Sequence, residues 1–357
     1  MPWPVPLSVL DLATVGEGVS VGTALRNSIE IAVQAEDLGY QRYWVAEHHN
    51  MAGVASSAPA VLLAHAAAAT SRIRIGAGGV MLPNHAALAI AEQFGTLEAL
   101  HPDRIDLGIG RAPGSDQLTM QALRRDSGRS LNNGADAFPE QLVELIGYFT
   151  GRFPPDHPFR TVMAVPGFGH LPALWLLGSS TYSAQVAGML GLPFSFAHHF
   201  APEGTMAAVH TYRECFRPSE VLAAPYVMLG ASVIVAETQA RAKWLAGPGL
   251  LSWVRLRSGR PSVIATPEFA AEYNFTPSER EITKARSNSQ IIGNPDIVRE
   301  RLTELIGTTG ADELVVTTMV HGHADRVRSY ELLAELAGLA PLTPRSVRRT
   351  TPTPTLS

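Results

Sequence analysis

Cysteine is almost missing: Cys215 stands alone among 357 residues. An intrachain disulfide framework is therefore excluded, and a reducing cytoplasm is the expected setting. Long apolar runs are also missing. The Ala-rich stretch 58–69 is short and broken by His65, so no membrane span is expected. The opening residues Met1-Pro2-Trp3-Pro4-Val5-Pro6 lack the basic and apolar regions of a secretion signal. Strong charge of one sign is absent too. A net charge of −4 offers no broad positive field to nucleic acid or anionic lipid. No Gly-x-Gly-x-x-Gly turn follows the first expected strand, which weakens an open dinucleotide-binding sheet.

What is present is a hydrophobic fraction of 46%, ample for a large core. Length alone suggests about two domains, but α/β barrels regularly exceed the average domain. Apolar strand-like runs alternate with helical spacing along the chain. Strands are expected over 7–12, 42–46, 72–80, 104–109, 172–178, 192–197, 226–236 and 313–319. Helices are expected over 22–38, 59–70, 86–100, 135–150, 180–190, 202–216, 294–306 and 324–337, with another beginning near Glu237. Eight such units predict a (β/α)8 TIM barrel, with an open doubly wound sheet as the alternative. Irregular stretches follow strands four and seven. The second, 248–288, reads as a lid. One domain is expected over 1–340, followed by a loose Pro/Thr-rich tail at 341–357.

The second strand, Arg42–Ala46, ends abruptly in Glu47, His48 and His49. Three titratable groups in a row have no packing role, and in a barrel the carboxyl ends of strands build the active site. The other strands deliver Gly78 and Gly79, Gly110 and Arg111, Ser179 and Ser180, His198 and His199, and His321 and His323 to the same end.

Each group admits a bland reading beside a functional one. Gly76, Gly78 and Gly79 weaken their strand, so either something flat approaches the backbone or the barrel is crowded there. The turn Gly178-Ser179-Ser180-Thr181-Tyr182-Ser183 opens a helix. Its hydroxyls and free N–H groups suit phosphate, or one serine simply caps the helix. Arg111 would add a bidentate partner. Glu47 is an orienting group for His48 or a structural ion-pair partner. His199 lines a substrate pocket or is a rim residue bonded to backbone. A metal site is not expected, because adjacent histidines in a strand point to opposite faces and no His-x-x-x-His spacing occurs.

Three segments in this order, Tyr43-Trp44-Val45-Ala46-Glu47-His48-His49, Gly76-Ala77-Gly78-Gly79-Val80-Met81-Leu82-Pro83 and Gly108-Ile109-Gly110-Arg111, resemble the bacterial luciferase-like flavin monooxygenases. The resemblance extends to about Pro193 and more weakly to the last helix. It implies a barrel that binds FMN at its C-terminal face. His48 matches the family's catalytic histidine. Gly78-Gly79 match its non-proline cis pair beside the flavin ring. Arg111, Ser179, Ser180 and Ser183 match its phosphate ligands. Ser179 replaces a glutamate of luciferase, and Gly110 its reactive cysteine; nothing supports light emission.

The implied reaction uses reduced FMN and O2 to oxygenate a small organic substrate through a flavin hydroperoxide. His48 is the expected acid or base, with Glu47 beside it. A separate NAD(P)H:flavin reductase is the implied source of reduced FMN, and a homodimer is implied through the apolar helices 59–70 and 86–100. Two other readings remain: a deazaflavin-dependent hydride-transfer oxidoreductase on the same fold, and a non-catalytic FMN-binding protein.

Overall fold

Eight parallel strands close into a ring. The computed structural model describes residues 3–112, 114–124 and 137–342. The strands are β1 (Leu7–Asp11), β2 (Arg42–Val45), β3 (Arg74–Met81), β4 (Ile105–Gly110), β5 (Ala173–Gly178), β6 (Phe194–Phe196), β7 (Val227–Val235), β8 (Ile291–Gly293) and β9 (Glu313–Thr317). Strands β1 to β7 pair in sequence, and β9 bridges β7 back to β1. This is the (β/α)8 barrel, with helices packed around it.

The ring uses β9 rather than β8. Residues Met228–Ser232 of β7 pair with β9, and the remaining Val233–Val235 pair with the three-residue β8 outside the ring. Sequence periodicity missed β8, because Ile-Ile-Gly is too short to display a period.

The expected lid differs from its prediction. The helix after β7 runs from Gln239 to Arg257, straight through Pro248. Interior proline costs about 3 kcal/mol. Burial of Leu245, Ala246, Leu251 and Val254 around it offsets that penalty. Two more helices, Pro267–Glu272 and Pro277–Ser289, complete the insertion. After β4, a short helix Gln117–Leu123 occupies part of the expected loop, ahead of the helix Phe138–Thr150. Residues 125–136, and the tail from 343 onward, lie outside the described residues.

The barrel interior is polar at its N-terminal end. Arg42 reaches Asp106 at 2.9 Å and Glu313 at 3.0 Å, and Arg74 reaches Asp106 at 2.5 Å. Tyr226 donates to Glu313, and the Trp44 indole N–H to Asp106. Above this layer Trp44 packs with Leu10, Trp175, Met228 and Val315. The barrel is therefore a filled core, and only its C-terminal mouth is left for chemistry.

Candidate functional site

The chain leaves β2 at Val45 and delivers Glu47 into full burial. Its Oε2 accepts the Met81 backbone N–H at 2.9 Å. Its Oε1 accepts Nε2–H groups from His49 and His85, each at 2.9 Å. Burial alone would raise the Glu47 pKa, but the His85 contact and the other donors hold it below the usual carboxylate range. Glu47 is thus an ionised hub joining the ends of β2 and β3.

This corrects the expected pairing of Glu47 with His48. Side chains alternate in extended chain, so positions 47 and 49 share a side and 48 faces away. The third partner, His85, escaped the sequence reading. It lies just past the turn Leu82–Asn84 that ends β3. The polar pair Asn84-His85 after Pro83 was the available signal.

His48 faces the loop after β4, with Nδ1 a long 3.4 Å from the Gly114 carbonyl. The tautomer that donates there leaves Nε2 as an acceptor. Burial holds the His48 pKa below the usual histidine value, so the ring is neutral near pH 7. His199, past β6, anchors its own N–H on the Gly230 carbonyl at 2.7 Å. Its ring lies against Gly230, where a Cβ would come within 2.5 Å of Nδ1. That Nδ1 is buried, with no hydrogen-bond partner among the described residues. Burial pushes the His199 pKa down to about 4, and the nearby Arg286 charge and the His48 ring add to the effect. Two neutral imidazoles therefore share the mouth. His198 is held apart, its Nδ1 2.8 Å from the Thr205 hydroxyl.

A positive corner lies across β4 and β5, which pair at Gly110 and Leu177. Arg111 stacks its guanidinium 4.2 Å from the Tyr182 ring centroid. Among the described residues no carboxylate pairs with it. Tyr182 sits in the first turn of the helix Thr181–Leu190, whose N-cap Ser180 makes no side-chain capping bond. Ser183 is buried in the same turn. Unsatisfied N–H groups, the helix dipole and a guanidinium together suit a phosphate.

The Gly78–Gly79 peptide is cis. A Cβ on Gly78 would come within 2.8 Å of Trp44, and one on Gly79 within 2.7 Å of the Gly108 carbonyl. The crowded barrel by itself requires glycine at both positions. Among the described residues no group of three or more His, Cys, Asp or Glu is arranged to hold a metal ion. No helix among them is long and apolar enough to cross a membrane.

Several known proteins share this arrangement of chain. Residues 5–313 match the model of the luciferase-like monooxygenases. A Bacillus subtilis protein, uncharacterized protein YvbT, is 48% identical over 92% of this chain and 96% of its own. An Escherichia coli K12 luciferase-like monooxygenase is 44% identical over 93% and 97%. The N-acetyl-S-alkylcysteine monooxygenase of Bacillus subtilis is 34% identical over 92% and 97%. Among solved structures, apo-MsnO8 superposes with a TM-score of 0.82 at 39% identity, covering 96% of this chain and all of its own. The oxygenating constituent of 3,6-diketocamphane monooxygenase, in complex with FMN, shares the fold at a TM-score of 0.70 and 20% identity, over 96% and 100%. With its barrel, its histidine-bearing β2 end and this extent of similarity, the chain belongs to the luciferase-like monooxygenase family.

Proposed function

We propose that this protein is an FMN-dependent monooxygenase acting on a small organic substrate. The observation that carries the reading is the pairing, at one barrel mouth, of Arg111, which meets no carboxylate among the described residues, beside an open helix N-terminus with two half-buried neutral imidazoles. The residues suit the cofactor. Arg111, Ser179, Ser180 and Ser183 would take the phosphate, and the Gly78–Gly79 backbone would face the ring. Held there, reduced FMN would supply the two electrons for placing one oxygen atom of O2 in the substrate and releasing the other as water.

The chain's own contribution is proton handling and exclusion of water. His48 Nε2 is free to accept a proton, while Nδ1 is turned toward the Gly114 carbonyl. Glu47 holds His49 and His85, and so fixes the backbone from which His48 projects. Of the helices inserted after β7, Pro277–Ser289 reaches the His199 backbone carbonyl through Arg286. A separate NAD(P)H:flavin reductase would deliver the reduced flavin.

Titration with FMN, riboflavin and deazaflavin tests the reading. FMN should bind at least tenfold tighter than riboflavin, because the phosphate meets Arg111. Reduced FMN with O2 should oxygenate a thioether such as N-acetyl-S-methylcysteine, the substrate type named for the 34% identical relative. Preference for deazaflavin with no oxygen uptake would overturn the proposal in favour of hydride transfer.

A further inference from the structure

The mouth holds a second cation outside the phosphate corner. Arg286 lies in the last turn of the helix Pro277–Ser289. Its Nη1–H donates to the backbone carbonyl of His199. Its guanidinium lies 4.5 Å from the ring centroid of Trp253, which belongs to the helix Gln239–Arg257. Phe200 meets Trp253 edge-on at 5.8 Å.

Arg286 is half-buried, yet among the described residues no carboxylate pairs with it. Arg42 and Arg74 meet Asp106, and Arg326 meets Asp11, whereas Arg111 and Arg255, half-buried like Arg286, meet no carboxylate among the described residues. Sheltering a charge from water is costly unless it is paired. One carbonyl and one aromatic face satisfy Arg286 only in part, and burial pushes its pKa down to about 10. Among the described residues no other group bonds the rest of its planar fork, which suits a bidentate anion.

We infer that Arg286 is the receptor for a carboxylate on the substrate, so that the protein acts on small organic acids. The apolar remainder of such an acid would lie against Trp253 and Phe200, with its reacting atom toward His199 and His48. Phosphate is a chemically similar anion, and the flavin phosphate is its alternative source. The inference rests on the monooxygenase reading only in naming the bound acid a substrate; binding itself is measured separately.

The test is calorimetry on the full chain with N-acetyl-S-methylcysteine, its methyl ester and FMN. The parent should bind the acid at least tenfold tighter than the ester. Arg286→Gln should weaken the acid by roughly 10- to 100-fold, the loss of a charge-assisted pair, and leave the ester and FMN unchanged. Arg286→Lys should fall between. Unchanged ester binding also reports that the variant is folded. Equal affinity for acid and ester in the parent, or failure of the acid to bind, overturns the inference. Weaker FMN binding by Arg286→Gln also overturns it, assigning the residue to flavin phosphate. Acid selectivity without FMN binding would instead sustain this inference and remove the flavin reading.

Discussion

His85 and Glu47, 38 positions apart in sequence, are joined at 2.9 Å across the ends of two neighbouring strands. The bond matters because Glu47 is fully buried, and His85 shares with His49 and the Met81 N–H the work of satisfying its charge. Glu47→Gln keeps the shape and removes the charge. It should cost about 1–3 kcal/mol at pH 7, the usual penalty for weakening charged hydrogen bonds in a buried site. The sign of the pH dependence follows from a depressed carboxylate pKa. The stabilisation is complete above the unfolded value of 4.5 and is lost as pH falls through the lower folded value. Denaturant unfolding of both proteins should show the gap narrowing in acid; a pH-independent gap would contradict the assignment.

Arg111 and the serine turn are expected to dominate FMN affinity. Arg111→Ala should weaken FMN by about 1.5–3 kcal/mol, the worth of a hydrogen bond to a charged group. Riboflavin, lacking the phosphate, should be unaffected. Unchanged FMN binding by calorimetry would end the assignment.

His48 is expected to act in chemistry and not in flavin binding. If Arg111 takes the phosphate as proposed, His48→Ala should keep FMN affinity within a few-fold. Substrate oxygenation should slow by about 10²–10⁴-fold, the usual contribution of a general acid or base. More of the reduced flavin should then be lost as hydrogen peroxide. Because burial lowers the His48 pKa from 6.5, the acid limb of the rate profile should lie below that value. Loss of FMN, or undiminished turnover, would show the role to be wrong.

A homodimer is expected through the helices Pro59–Ala69 and Ala87–Leu100. Val61 and Leu100 are 66% and 67% exposed in the single chain. Apolar surface of this kind is a liability unless covered. Light scattering at micromolar concentration should give twice the chain mass, and a monomer would refute the expectation.

The strand and helix order was legible in the sequence because a barrel repeats one local unit, and each unit carries its own apolar period. The end of β2 was legible as well, since a carboxylate and two imidazoles interrupt a buried run. Tertiary structure decided the partners. Sequence adjacency suggested Glu47 with His48, but the pleat turns neighbours apart and hands Glu47 to His49 and His85. Pro248 marked a helix end locally, whereas burial of its neighbours carries the helix on to Arg257. Nothing in the sequence marked Arg286, which reaches the carbonyl of His199, 87 positions away. Local chemistry fixes what each residue is able to do; only closure of the ring determines which residues meet.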